Sequence, residues 1–307
     1  PSSSFVLVDN TRTVLWSCSH LAGVLLLILS TAAWSTSLIT AYLLSREGVS
    51  VNSANAARFL IAVLPVFIFL RYQRGSLRLP LRGIRLGVML GICGYVISFG
   101  YLHSTQHIPV SFAVLLFYTA PFLVALVVRI VDQKTLSILQ LSAMVVAFIG
   151  LALTLEINTG KGLSVVGIVF ALSAALGLTG QITIADYATQ RFAAPILTLY
   201  SLTTTTVLLL LTLLLAGDIT LPDSTSAQIK LIVIGVSIAI AQLAFFIGIK
   251  RVGPMPAAIL MNMEPVFTVG LAILIIGEQL NGLQLLGATL VISAVFAVTG
   301  QPKSRSR

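Results

Sequence analysis

The sequence predicts an all-α membrane protein with ten transmembrane helices in two inverted five-helix repeats, and three observations predict it. Hydrophobic residues make up 57% of the 307-residue chain and charged residues only 9%, whereas a soluble domain carries about 25% charge because its surface faces water. Apolar runs of roughly 20 residues, each long enough to cross about 30 Å of hydrocarbon, recur from end to end. The second half of the chain also repeats features of the first at a nearly constant offset.

The expected spans are 20–44, 53–72, 84–103, 110–131, 136–155, 163–186, 195–215, 228–250, 255–276 and 281–300. They form a first repeat over 20–155 and a second over 163–300, with short tails at 1–19 and 301–307. Helices are required because barrel strands alternate apolar and polar residues over about ten positions. Leu21–Leu29 and Val207–Leu215 are instead apolar nearly all round. The segment before Leu21 holds Asp9, Arg12 and His20. It reads as a polar tail, since no small-residue cleavage site follows the apolar run. Cys18 and Cys93 sit in apolar stretches and suggest neither a disulfide framework nor a metal site.

Orientation follows from where lysine and arginine fall. With the N-terminus inside, fourteen of the eighteen basic residues lie on the cytoplasmic side, five of them (Arg71, Arg74, Arg78, Arg82 and Arg85) around the second loop. Arg46, Lys161 and Lys230 fall outside, and Arg58 lies within the second span. Both termini are then cytoplasmic, in the cell (inner) membrane. The net charge of +9 is thereby a topology signal and calls for no nucleic-acid partner.

The duplication is legible residue by residue. A shift of 144 carries Ala113 onto Ala257, Pro121 onto Pro265 and Leu139-Gln140-Leu141 onto Leu283-Gln284-Leu285. A shift of 143 carries Leu29-Ser30 onto Leu172-Ser173 and Ile39-Thr40 onto Ile182-Thr183. Five spans per half is an odd number, so the second copy enters the membrane inverted. Inverted repeats are a habit of secondary transporters, with the substrate site near the midplane between the repeats.

From Lys250 to Val298 the sequence KRVGPMPAAILMNMEPVFTVGLAILIIGEQLNGLQLLGATLVISAVFAV includes a Glu-Pro-Val-Phe run and a Gly-Glu-Gln-Leu turn. Weaker counterparts are Trp34, Arg58-Phe59 and PVSFAVLLFYTAPFLVALVVRIV in the first half. On these features the chain resembles the drug/metabolite transporter superfamily, in its EamA-like branch. The first repeat departs from that pattern at its turn, where Lys134 stands in place of a glutamate corresponding to Glu278. The resemblance implies a secondary transporter that works by alternating access on a small organic solute, with export of an amino acid or related metabolite as the expected case.

Glu264 is the most informative residue, since an ionised carboxylate at mid-membrane costs about 2.5–3.5 kcal/mol on insertion scales. It is either a proton-coupling or cation-binding group, or a hydrogen-bonding residue beside a kink at Pro265, which leaves a carbonyl free. The repeat offset sets Ser98 opposite Gln242 and Tyr118 opposite Asn262. These four would line a cavity between the halves or serve as interhelical polar contacts. Asn262 and Gln242 are the expected neighbours of Glu264. Trp34, in mid-span, would stack on a substrate or fill space. Arg58 is either an anion anchor or gate residue, or it snorkels to the outer interface. Gln181 and Asp186 would belong to an inner gate or to the interface.

His103 and His107 share a helical face, yet no carboxylate or thiol lies near in sequence, so a solvated outer loop is expected and metal is not. Gly83, Gly87 and Gly91 repeat at a spacing that suits close helix approach. A membrane enzyme would need clustered His, Asp or Glu for acid–base or metal work. The nine acidic residues and three histidines are instead scattered. A channel usually needs a symmetric ring of subunits, while the duplication favours a site within one chain. Expected partners are a small organic solute, protons and membrane lipid. No cofactor is expected, and a monomer suffices.

Overall fold

The computed structural model describes residues 3–73, 77–131, 133, 137–155, 164–217, 219–220, 222–276 and 281–299, with the backbone alone at 3–18, 276 and 299. The described residues are helical, without strands, as expected where lipid offers no partner to an unpaired backbone N–H or C=O. In chain order the helices are α1 (Ser3–Ser45), α2 (Val51–Tyr72), α3 (Leu81–His107), α4 (Val110–Phe117), α5 (Ala120–Val131) and α6 (Ile138–Thr154). They continue as α7 (Val165–Thr189), α8 (Ala194–Ala216), α9 (Thr225–Val252), α10 (Pro254–Met261), α11 (Met263–Ile276) and α12 (Gly282–Thr299).

Eight segments among the described residues are long and apolar enough to cross a membrane, and Ile138–Thr154 and Gly282–Val298 are shorter apolar helices. These two helices correspond to the fifth and tenth expected spans. At 1.5 Å per residue, 17 residues reach about 25 Å, slightly less than the hydrocarbon core. Ahead of the membrane-length part of α1, which starts at Ser19, the backbone is already helical from Ser3. The turn residues Lys134 and Glu278, and the C-terminal tail, lie outside the described residues.

The fourth and ninth spans carry the matched prolines Pro121 and Pro265, and a kink is expected beside the second. Both are broken, at Tyr118–Thr119 and at Asn262. Proline explains both breaks. Pro121 and Pro265 bring no N–H to the carbonyls of Phe117 and Met261 four residues back, and their rings crowd those carbonyls. The chain turns there, and the N–H groups of Tyr118 and Asn262 bond to the preceding turn. The last helices of the halves also start alike. Ser137 and Gln140 form a reciprocal cap at α6, and Asn281 and Gln284 form the same cap at α12. Such caps satisfy N–H groups that a helix start leaves orphaned.

The packing inverts the soluble pattern. Leu25, Leu60, Leu64, Leu176 and Leu214 are exposed, while Ala171, Ala174, Ala175, Ala185 and Ala188 are fully buried. Small residues let membrane helices approach closely, because lipid removes the usual drive to bury leucine. Helix α1 packs along α9 and α3 along α7, α2 packs on α9 and α3 on α8, and α6 pairs with α12. The expected glycine face of α3 is used. A Cβ on Gly87 would come within 2.6 Å of the Tyr200 Cβ, and one on Gly91 within 2.4 Å of the Thr204 Cβ, both on α8. In the α6–α12 pair the backbones themselves meet, as a Cβ on Gly287 would fall 2.4 Å from the carbonyl oxygen of Gly150.

Candidate functional site

The two helix breaks bring the chemistry together. Tyr118, capping α4, is buried and donates its hydroxyl to Oε2 of Glu264 at 2.9 Å. Glu264 lies in the first turn of α11. Its own carbonyl is held from two sides, by Ser35 Oγ on α1 at 2.7 Å and by Thr268 Oγ1 at 2.9 Å. One bond thus joins the break in the first half to the break in the second, and another ties α1 to the same turn.

Arg58 on α2 supplies the opposite charge. Its guanidinium lies 5.2 Å from the Phe59 ring centroid and interacts electrostatically with Glu264 and with Tyr101 on α3. No hydrogen bond joins Arg58 to Glu264 among the described residues, and the Arg58 Nε is buried without a partner. Both charged residues are half-buried. The Arg58 side chain therefore faces Glu264 within the bundle. One helical turn before it, Asn55 is buried with its Oδ1 unpartnered. A separated pair of opposite charges with spare hydrogen-bonding capacity can receive a small ligand that carries a complementary group for each.

The other expected site residues are distributed unevenly. Tyr118 reaches Glu264, whereas Asn262 and Gln242 do not supply its hydrogen bond. Asn262 is buried and donates its side-chain N–H back to the Ile259 carbonyl at 3.2 Å, closing the end of α10. Gln242 on α9 and Ser98 on α3 are buried in the bundle. Trp34 rests on Phe245 with ring centroids 5.5 Å apart and is half-buried between two apolar clusters, the space-filling arrangement. Gln181 is buried on α7, and Asp186 near the end of that helix is half-buried.

His103 and His107 belong to α3, not to an outer loop. His103 stacks on Phe99 at 3.8 Å and bonds to its carbonyl, and His107 stacks against Phe170 at 6.3 Å. No group of three His, Cys, Asp or Glu side chains suited to a metal ion occurs among the described residues. Ser35 and Asn55 escaped the sequence reading. A serine or asparagine in an apolar helix signals only that some partner exists, and its spacing does not name one.

At one end of the bundle, polar contacts staple the turn after α1 to the start of α9. Lys230 pairs with Glu47, which also accepts from Ser224 Oγ at 3.0 Å and Ser226 Oγ at 3.1 Å. The hydrogen bond from Lys230, with help from the two serines, holds the Glu47 carboxyl below its ordinary value of 4.5.

Comparison with known proteins agrees with this architecture. The EamA-like transporter family matches the chain twice, over residues 21–156 and 165–300. An uncharacterized transporter of Bacillus subtilis (strain 168), YyaM, is 30% identical over 275 residues, covering 82% of this chain and 85% of the relative. A solved crystal structure superposes with a TM-score of 0.77 over 90% of this chain and 96% of its own, at 20% identity, and so shares the fold. The chain is an integral membrane protein and belongs to the EamA-like transporter family.

Proposed function

We propose that the protein is a secondary transporter of a small organic solute, working by alternating access between two inverted five-helix repeats, with its site where the two broken helices meet. Ten spans and cytoplasmic termini are part of this reading. Exchanging the halves exchanges the packing partners, which supports it: α1 on α9 becomes α7 on α3, and α2 on α9 becomes α8 on α3. The prolines, the breaks and the caps of α6 and α12 obey the same exchange. The family and the name of the relative point to transport, not to catalysis.

The observation that carries the proposal is the Tyr118–Glu264 bond between the two breaks, beside an inward-facing Arg58. Discontinuous helices near the midplane are where transporters of this kind bind their cargo, because half-helix ends and freed carbonyls offer polar contacts there. Arg58 would take a carboxylate and Glu264 an ammonium group, the two ends of an amino acid or related metabolite. A proton and a cation cannot occupy Glu264 together, so their exchange would couple flux to the proton gradient and drive export. Rocking one repeat against the other would break and remake the Tyr118–Glu264 contact.

Counterflow in proteoliposomes tests this reading, with a panel of amino acids, nucleosides, sugars and organic cations, with and without a pH gradient. Exchange that favours solutes with both charges, and is sensitive to the gradient, is the expected result. Exchange of amino acids without gradient sensitivity would make the protein an uncoupled facilitator. No exchange of any solute would contradict the proposal.

A further inference from the structure

At the end of the bundle formed by the start of α3, the α7–α8 turn and the end of α9, two arginines converge on one tyrosine. Arg82 donates from Nη2 to the Tyr187 hydroxyl at 2.6 Å. Arg191 lies over the same ring, its Cζ 3.6 Å from the centroid, and donates from Nη1 to the Tyr187 carbonyl at 3.0 Å. Both guanidinium groups are exposed. Among the described residues neither forms an ion pair with a carboxylate. Asp186, the adjacent acid, is half-buried and has an interaction of its own.

Two like charges held on one side chain repel each other unless an anion lies between them. The Tyr187 hydroxyl accepts from Arg82, which leaves its own proton to donate. The three groups together offer two planar guanidinium forks and one O–H, a donor set that suits phosphate oxygens. Around them Arg71, Arg85, Lys250 and Arg251 are exposed, and Leu81, beside Arg82, is 64% exposed. The donors lie at helix ends, the level at which a membrane-spanning chain meets headgroups, with an apolar side chain next to them for the acyl region.

We propose that Arg82, Tyr187 and Arg191 form a binding site for the phosphodiester headgroup of an anionic phospholipid, in the leaflet that the distribution of basic residues makes cytoplasmic. Bound there, the lipid would bridge α3 to the α7–α8 turn and so link the two halves. The site does not depend on what the protein carries, and its test involves no transport.

The test is native mass spectrometry of the full chain in neutral detergent, titrated with phosphatidylglycerol or with phosphatidylcholine of the same acyl chains. The wild type is expected to retain phosphatidylglycerol in preference. R82Q/R191Q should weaken that binding about 20- to 30-fold, from the contribution of each basic residue near an anionic lipid. Tyr187→Phe, which keeps the ring under Arg191, should weaken it less. R71Q/R251Q removes the same charge from the same end but leaves the tyrosine cluster, and should bind as the wild type does. Equal loss in R71Q/R251Q would reduce the effect to diffuse charge and overturn the site. Retention in both R82Q/R191Q and Tyr187→Phe would also overturn it. Displacement of phosphatidylglycerol by millimolar inorganic phosphate would contradict a lipid ligand and make this a free-phosphate site.

Discussion

At the scale of single residues the account turns on Glu264 and the groups around it. Tyr118 and Glu264 act as a unit, so their substitutions should not add. Tyr118→Phe removes one hydrogen bond to a charged group, about 1.5–3 kcal/mol, and should slow gradient-driven flux at least about tenfold. Adding Tyr118→Phe to Glu264→Gln should cost little more than Glu264→Gln alone, and initial rates in a double-mutant cycle would measure this. Arg58→Gln should weaken carboxylate-bearing solutes while sparing amines that lack the carboxylate, which competition between matched pairs would reveal. Glu47 behaves differently because it lies outside the spans. Its carboxyl is held below 4.5 in the folded protein, so its contribution to stability is present above that value and is lost as pH falls through the lower, folded value. The melting difference between wild type and Glu47→Gln should therefore be open at pH 7, shrink below pH 4.5, and narrow in high salt.

At the scale of elements, the α6–α12 pair and the broken helices respond in opposite ways to substitution. Gly287 approaches the Gly150 backbone, which cannot rotate aside as a side chain can. Gly287→Ala should cost about 1–3 kcal/mol, read as a lowered melting temperature in detergent. Pro265→Ala restores an N–H to the Met261 carbonyl and favours a helix running straight through Asn262. It should leave the melting temperature unchanged or higher while transport falls, because Glu264 leaves the first turn of its half-helix. These elements were largely readable from the sequence: apolar runs gave the spans, and the matched pairs Pro121/Pro265 and Gln140/Gln284 mark the breaks and the caps. The contact at the site was not readable. An offset of 144 aligns Tyr118 with Asn262 and Ala120 with Glu264, so it does not name the Tyr118–Glu264 contact. Hydropathy likewise carries no phase for Arg58, whose electrostatic neighbours, Tyr101 on α3 and Glu264 on α11, are set by the tertiary arrangement.

At the scale of the molecule, the repeats and the topology make one claim together. Residues 20–155 and 163–300 should superpose after a near two-fold rotation about an axis in the membrane plane, with Pro121 on Pro265. A single cysteine placed in the 71–83 loop of a cysteine-free protein should resist a membrane-impermeant reagent added from outside, and labelling there would reverse the orientation. The central claim, that the meeting point of the two breaks is the coupled site, is tested most directly by flux of one transported solute through wild type and Glu264→Gln in proteoliposomes, with and without a pH gradient. Glutamine keeps the shape of the side chain and can still meet the Tyr118 hydroxyl, but it cannot ionise. The account predicts that Glu264→Gln folds as the wild type does, loses gradient-driven flux, and retains some exchange of neutral solute. Flux through the variant with the pH dependence of the wild type would contradict it and leave Glu264 a structural residue beside a proline break.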